Sequence, residues 1–487
     1  MAGNPAADLS NGRRWLILLI CCLSVFVVGI DVTIVNVALP SIRQSLHASV
    51  TDLQWTIDAY TLVIACLLML SGSLADRFGR RRVFQTGLVL FSLGSLLCSL
   101  APGLGWLVAF RALQAVGGSM LNPVAMAIIV NTFTDRKERA RATGVWGSVV
   151  GVSLAAGPVI GGLLVSAASW RAVFWINIPI GVAAIALTQR FVPESKAPRA
   201  RRFDPAAQAL MVILLASLTY ATIEGPRHGW TSPVILGLFV LAAVAAVAFT
   251  LVELRRAEPL IDVRFFRSPP FAGASVIAMA AFGALGGFLF LNTLYLQDVR
   301  GYSALSAGLL TIPMATMIAI FATVSGRMVG RWGARPPFLL AGPALAIGAL
   351  LLARLTANTS LAYLLVAYVI FGIGCGLVNA PITNTAVSGM PIEQAGVAGA
   401  VASTSRQIGS SLGVAVTGSI VATSVGVGYV SASHAAWAVI AGLGITVLLV
   451  GLVSTGQRAR GAAARNGARL AQRAKENADD QSVTVAC

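Results

Sequence analysis

Charged residues are scarce in this sequence. Asp, Glu, Lys and Arg together make up 11% of the 487 residues, whereas hydrophobic residues make up 57%, and the mean hydropathy is +0.82. A soluble protein of this length could not hide so much apolar surface from water. The scarcity of charge therefore excludes a soluble protein and predicts a chain that crosses a membrane several times.

Histidine and cysteine are also rare, with three and six residues. The histidines fall in or beside loops predicted on the outer side, and the cysteines have no spacing typical of metal ligands. We therefore expect no metal site and read the cysteines as small packing residues. No nucleophile with a base and no phosphate-binding loop lies at a membrane face, so we do not expect an enzyme.

Long apolar segments recur along the whole chain, and we count fourteen. A helix of about 20 residues crosses a hydrocarbon core about 30 Å thick, and it satisfies its backbone hydrogen bonds internally. We therefore predict an all-α protein with fourteen transmembrane helices, called predicted helices 1 to 14. Their spans are 15–39, 53–75, 83–101, 105–130, 143–166, 172–191, 206–223, 232–252, 271–293, 304–325, 337–355, 361–386, 397–423 and 434–455.

The formal net charge is +17, but the positions of the basic residues argue against a nucleic-acid partner. If the N-terminus lies inside the cell, 28 of the 35 Lys and Arg fall in inner segments, five in outer loops and two within spans. This bias is the positive-inside rule, and anionic lipid attracts the inner charges. We therefore expect a multi-pass protein of a bacterial cell membrane with both termini in the cytoplasm.

The longest inner connections flank predicted helices 7 and 8, which suggests six helices, a pair and six more. The loop GSLADRFGRRR (72–82) is weakly similar in sequence to GRMVGRWGARP (326–336). Duplicated halves are a common transporter plan, with the ligand path at their interface. The predicted domains are a cytoplasmic N-terminus (1–14), an N-terminal bundle (15–191), linkers with two extra helices (192–270), a C-terminal bundle (271–455) and a cytoplasmic tail (456–487).

Of the eighteen acidic residues, only Asp31 and Asp58 lie well inside predicted spans. An ionised aspartate at a helix centre costs about 2.5 to 3.5 kcal/mol, so it needs a partner, a proton or a wet cavity. A rise of about 1.5 Å per residue places both at a similar depth to Arg111, in the outer half of the bilayer. One interpretation is a proton-binding switch beside Arg111. The alternatives are a static Asp31–Arg111 pair that fixes helix packing, and contact with substrate.

Predicted helix 5 has small residues at every fourth position, namely Ser153, Gly157 and Gly161, with Gly162 following. Such a stripe lets another helix approach closely. Pro158 removes a backbone donor and should bend or loosen the helix. A conformational hinge and ordinary tight packing explain the pattern about equally well.

Other polar side chains within predicted spans could line a substrate path. An interhelical hydrogen bond is the favoured interpretation for any single amide among them. The candidates are Asn36, Gln114, Asn122, Asn379, Asn384 and, in predicted helix 13, Arg406.

The loop GSLADRFGRRR sets Asp76 among four arginines. A carboxylate can cap a neighbouring helix and pair with arginine across the interface between halves. A contact made in one conformation only would work as a latch, whereas membrane anchoring explains the arginines alone. The candidate switch residues here are Gly72, Asp76, Arg77, Gly79 and Arg80.

Several segments together resemble the major facilitator superfamily and, within it, the fourteen-helix drug:proton antiporters of the EmrB/QacA-like group. Ala115 and Ser153 stand where glycines are usual. The segments are IDVTIVNVALP (30–40), GSLADRFGRRR (72–82), LVAFRALQAVGG (107–118), GVSLAAGPVIGG (151–162), WINIPIG (175–181) and YLQDVRGYSALSAG (295–308).

The resemblance implies alternating access by two six-helix bundles and export of hydrophobic or amphiphilic small molecules, powered by inward proton flow without a cofactor. It implies proton-coupling roles for Asp31, Asp58 and Arg111, and a role for Gly157 and Pro158 in holding the exchange mode. We expect a monomer to be functional. The rival is a dedicated exporter of one endogenous product, such as an antibiotic, lipid or siderophore.

The sequence departs from similar pumps of divalent cations because predicted helices 10 and 13 contain no acid. A dicationic substrate is therefore less expected than a neutral, zwitterionic or monovalent amphiphile. Gly330 takes the place of the first loop's aspartate, so any latch is one-sided.

Overall fold

The structure is a computed structural model that describes residues 10–196, 204–256, 260–388, 390, 395–422, 428–459 and 461–468. Across these ranges the chain is helical and contains no strand. The α-helices are α1 (Asn11–Leu46), α2 (Val50–Phe78), α3 (Arg80–Ser99), α4 (Leu104–Thr132), α5 (Arg136–Ala167), α6 (Ala172–Trp175), α7 (Asn177–Phe191), α8 (Pro205–His228), α9 (Pro233–Arg255), α10 (Pro269–Leu294), α11 (Ala304–Leu310), α12 (Ile312–Trp332), α13 (Arg335–Leu352), α14 (Leu361–Val387), α15 (Ala395–Ala422) and α16 (Tyr429–Ser454). A 3₁₀ turn (Val263–Arg267) precedes α10 and a π-helical turn (Tyr295–Val299) follows it.

Thirteen helical segments in the described ranges are long and apolar enough to cross a membrane. They account for all but one of the predicted spans, with α6 and α7 forming one segment and α11 and α12 another. The remaining span, 397–423, overlaps α15, which is 28 residues long but carries a polar stretch from Ser403 to Gln407. The all-helical membrane fold is confirmed, while the number of fourteen crossings stays a prediction.

Helix α1 is longer than the predicted span, with 36 residues. Arg13 and Arg14 lie in its first turn and Arg43 in its last, so the apolar stretch is flanked by basic residues. Long basic side chains at helix ends can reach the headgroup region while the helix continues. The predicted span rests on hydropathy and therefore covers only the apolar stretch, whereas the helix extends beyond that stretch at both ends.

The helices α1 to α7 pack together, and so do α10 to α16. The two groups meet along a seam formed by α5 with α11 on one side and α2 with α15 on the other. The hairpin α8–α9 lies outside these groups, where α8 packs on both α2 and α15.

One end of the seam is tightly packed. Gly308 of α11 lies against the backbone of Pro158 in α5, and a Cβ atom added to Gly162 would lie 2.5 Å from the carbonyl oxygen of Ala304. At the same end Arg43 forms an ion pair of 3.1 Å with Asp298. We call this end, which contains Arg43, Gly162 and Ala304, the closed end.

The opposite end of the seam has free space. A Cβ atom added at Gly144 or Gly151 of α5, or at Gly326 or Gly330 of α12, would meet no atom within 4 Å. Gly144, Gly151 and Pro158 are seven residues apart, so they share one helix face. The face of α5 that contacts α11 at the closed end therefore continues without a partner toward this open end, defined by Gly144, Gly326 and Gly330.

Candidate functional site

Asp31 and Arg111 form a buried ion pair within the α1–α7 group. Nη1 of Arg111 lies 2.6 Å from Oδ2 of Asp31, and both side chains are at most 2% exposed. The other carboxylate oxygen accepts hydrogen bonds from Gln114 (2.8 Å) and Asn177 (3.0 Å). Both oxygens of Asp31 are thus bound by groups of the chain itself.

Arg111 also has several partners within the chain. Its Nη1 also donates to Oε1 of Gln114 at 2.9 Å, and its Nε donates to the carbonyl of Thr56 in α2 at 3.3 Å. The guanidinium carbon lies 4.1 Å from the centre of the Tyr60 ring, a distance at which the ring face attracts a cation. The pair joins α1, α2, α4 and α7, which is the arrangement expected of the static alternative.

Sequence reasoning did not assign Asn177 or its neighbour Ser95. Asn177 donates to Asp31 and also to Oγ of Ser95 at 3.0 Å, while Ser95 donates to the carbonyl of Phe174 at 2.8 Å. The segment WINIPIG, which contains Asn177, was the available signal, because a buried amide in an apolar helix needs partners.

Asp58 is also wholly buried, but its surroundings differ. Thr61 donates to Oδ1 at 3.2 Å, and Oδ2 has no hydrogen-bond partner within the described chain. The hydroxyl of Ser411 in α15 faces the same carboxyl group. No described basic residue lies within ion-pair distance of Asp58, so this acid lies at the seam between the two helix groups without a cation.

Next to Asp58, the α2–α15 side of the seam is closed by hydrogen bonds from a glutamine side chain of α2 to the backbone of α15. Gln54 donates from Nε2 to the carbonyls of Ala415 (2.8 Å) and Val414 (3.3 Å), and Gly418 leaves room for that side chain. Any relative rotation of the two helix groups must break these bonds close to Asp58.

The small residues of α5 pack against two neighbouring helices, α1 and α11. Gly157 lies against Thr33 of α1 and Gly161 against Ile34, whereas Pro158 and Gly162 lie against α11. The helix is uninterrupted at Pro158. Tight packing with α1 is therefore observed, and the hinge role stays a prediction.

Among the described residues, the ion pairs and side-chain hydrogen bonds of the predicted latch loop are formed within its own half. Asp76 pairs with Arg80 at 3.2 Å, and Glu194, in the segment after α7, accepts from the backbone N–H of Arg81 at 3.1 Å. Gly79 has a φ of 109° and lies against the Glu194 carboxylate. Arg77 is exposed and Gly72 has free space around it.

The amide candidates for the substrate path fall into separate places. Gln114 belongs to the Asp31 network, and Asn36 is buried and donates to the carbonyl of Val32 in its own helix at 3.0 Å. Asn122 and Asn379 are partly buried, and Asn384 is exposed. Internal hydrogen bonds therefore explain Asn36 and Gln114, and a place on the substrate path stays a prediction for the other three.

Arg406 lies in the other helix group, in α15. Its Nη2 donates to Oγ1 of Thr383 in α14 at 2.7 Å, and its Nε is buried without a partner. The guanidinium carbon lies 5.7 Å from the centre of the Phe282 ring. Within the described part of the chain, no group of His, Cys, Asp and Glu residues could hold a metal ion.

Comparison with known proteins identifies the family. The model of the family described as Major Facilitator Superfamily matches residues 21–414. The chain is 38% identical over 412 residues to the multidrug resistance protein Stp of Mycobacterium tuberculosis, with 85% of this chain and 76% of that protein covered. It is also 38% identical over 429 residues to the tetracenomycin C resistance and export protein of Streptomyces glaucescens, with 88% and 79% covered.

Among solved structures, the fold resembles a bacterial homologue of the human lysosomal transporter Spinster. The TM-score is 0.62 at 19% identity, with 95% of this chain and 99% of that one covered. The resemblance seen in the motifs is thereby confirmed. Because the family model spans most of the chain and the relatives match along most of its length, the chain belongs to the Major Facilitator Superfamily.

Proposed function

We propose that this protein exports hydrophobic or amphiphilic small molecules across a bacterial cell membrane in exchange for protons. As a member of a superfamily of transporters, the protein is not an enzyme. The relatives named for multidrug resistance and for tetracenomycin C resistance and export support the direction and the class of substrate. The proposed topology has fourteen crossings and cytoplasmic termini, so the open end faces the cytoplasm, and a monomer suffices for transport.

The observation that carries the proton assignment is the contrast between the two buried acids. Asp31 has a cation and two amide donors, so its negative charge is balanced in place. Asp58 has no described cation within ion-pair distance, and the neutral hydroxyls of Thr61 and Ser411 face its carboxyl group. A buried carboxylate without a counter-charge is costly when ionised, so we assign the exchanged proton to Asp58 and a packing role to the Asp31–Arg111 pair.

The conformation fits one step of such a cycle. The closed end faces the outside, so a proton on Asp58 has arrived from there and can leave only through the open end. A substrate can enter from the same open end. Proton release and substrate entry thus use one access route, and the binding of one favours the departure of the other.

The proposed function is tested in inside-out membrane vesicles. A pH gradient, acidic inside, should drive uptake of lipophilic dyes and antibiotics into vesicles that contain the protein, and collapse of the gradient should stop it. Uptake that persists without any gradient would contradict proton exchange.

Relatives named for a single antibiotic, such as methylenomycin A, keep the dedicated exporter as a second candidate. Expression in a drug-sensitive bacterium, followed by a growth test with a panel of unrelated compounds, separates the two. A broad exporter should raise resistance to several structural classes, whereas a dedicated one should raise it to one class.

Alternating access predicts opposite effects for two glycines of α5. Gly162→Val should strain the closed end, where its side chain would strike α11, by about 1–3 kcal/mol, and shift the protein away from the present conformation. Gly147→Val has free space here, but it should obstruct closure of the open end. The measurement is the rate at which a cysteine at Gly326→Cys reacts with a thiol reagent, in a Cys487→Ser background.

Gly162→Val should slow that reaction, and Gly147→Val should leave it unchanged or accelerate it. Both variants should transport less than the wild type. Equal labelling in the two variants would show that α5 does not close against α12.

A further inference from the structure

Arg406 is a partly buried cation for which the described residues offer no counter-charge. Among the described residues, no carboxylate lies within ion-pair distance of its guanidinium, and its hydrogen-bond partner is the neutral hydroxyl of Thr383. Nε, which is buried, has no partner. Partial removal of a charged group from water without a counter-charge is costly, so an anion from outside the chain would stabilise this side chain.

Arg111 provides an internal comparison. The side chain of Arg111 is at most 2% exposed, whereas Arg406 is partly exposed, and Arg111 meets a carboxylate at 2.6 Å, an amide oxygen and a backbone carbonyl. The helix group of Arg111 therefore contains all its partners, whereas the group of Arg406 offers one hydroxyl. Arg111 therefore holds several helices together through its hydrogen bonds, whereas Arg406 does not.

The surroundings of Arg406 suit an anion attached to an apolar body. The Phe282 ring lies beside the guanidinium at 5.7 Å and offers an apolar surface. Thr383 is exposed, and Gly399, two turns from Arg406 on the same face of α15, has no atom within 4 Å of an added Cβ. Free space therefore lies near the guanidinium, whose planar set of N–H donors matches a carboxylate.

We propose that Arg406 is an anion-binding subsite for amphiphiles that carry a carboxylate or a similar singly charged group. The proposal rests on the proposed export function and specifies its substrate class. The anionic group binds at Nε and Nη of Arg406, and the apolar part lies against Phe282. An anionic lipid headgroup offers the same chemistry, so the experiment must distinguish lipid from substrate.

The test compares dansyl-leucine with dansyl-leucinamide, which share an apolar body and differ by one negative charge. Binding to purified protein in phosphatidylcholine nanodiscs is followed by dansyl fluorescence. Wild type should bind the acid at least about tenfold more tightly than the amide, as expected for a charge-assisted pair. Arg406→Gln should bind both equally, Arg406→Lys should keep part of the preference, and the exposed-loop control Arg354→Gln should behave like wild type.

Three results would overturn the proposal. The first is equal binding, or no binding, of the two probes by a wild type that elutes as a single folded species. The second is a preference for the acid that survives in Arg406→Gln. The third is loss of the preference when phosphatidylglycerol is added to the nanodiscs, which would assign the subsite to lipid headgroups.

The same variants separate this proposal from the export function. Gradient-driven uptake of an uncharged dye should be the same in wild type and in the exposed-loop control Arg354→Gln, and this measurement tests export without relying on the subsite. Failure of wild-type uptake would contradict export, whereas the binding preference would still decide the role of Arg406.

Discussion

Asp58→Asn should abolish uptake driven by a pH gradient, reducing it to the level of vesicles that lack the protein. Asparagine fills the same volume and can accept from Thr61, but it cannot release a proton. Substrate exchange in the absence of a gradient should persist, because the site and the conformational change remain. The measurement is the initial rate of uptake into inside-out vesicles, paired with counterflow of the same substrate.

Asp58→Glu is the matched control, since it keeps the acid and should retain part of the gradient-driven rate. Asp31→Asn belongs in the same series because the family resemblance implies a coupling role for either acid. If Asp58→Asn transports at the full rate under a gradient while Asp31→Asn does not, the proton assignment must move to Asp31. Full activity of both variants would remove proton coupling through either acid.

Arg111→Leu should sharply reduce the amount of folded protein. The substitution leaves the Asp31 carboxylate buried without its cation, and breaking a buried pair by removing one partner costs about 3–5 kcal/mol. Arg111 also contacts the Thr56 carbonyl and the Tyr60 ring, so the junction of four helices loosens. Size-exclusion chromatography of a fluorescent fusion, with a thermal ramp, measures the loss.

The double variant Asp31→Asn with Arg111→Leu should recover part of the folded yield. It removes both charges, and an asparagine oxygen can still accept from Gln114 and Asn177. Arg354→Leu, at an exposed loop position, controls for the loss of any arginine. A double variant no better than Arg111→Leu alone would contradict the packing role of the pair.

The sequence was informative where burying a single residue in the membrane has a high free-energy cost. Asp31, Asp58 and Arg111 stand out because charge inside an apolar span needs a reason, and counting residues along the helices predicted their common depth. Depth does not give rotation about a helix axis, however. For that reason the sequence left open which acid pairs with Arg111, and the structure answers it through the 2.6 Å contact with Asp31.

Contacts between distant segments were beyond sequence reasoning. Asn177 reaches Asp31 across 146 residues, and the Gln54 bond to Ala415 spans 361. No periodicity within a helix encodes such pairs, because each helix needs only an apolar or small-residue face to pack. The open end was equally hidden, since it depends on the relative position of two helix groups that the same sequence can hold in more than one arrangement.

The position of α8 bears on how a compound dissolved in lipid could reach the interior. Ser419 of α15 donates to the carbonyl of Thr222 at 2.6 Å, and Trp55 of α2 donates to Glu224 at 2.8 Å, so α8 bridges the two helix groups. Gln208, near the other end of α8, donates to the carbonyl of Cys66 in α2 at 2.8 Å. On this side the extra helix covers the seam, whereas among the described residues neither α8 nor α9 packs on α5 or α12 at the other side. Under the proposed topology we therefore expect lateral entry on one side only, with an amphiphile of the cytoplasmic leaflet entering between α5 and α12.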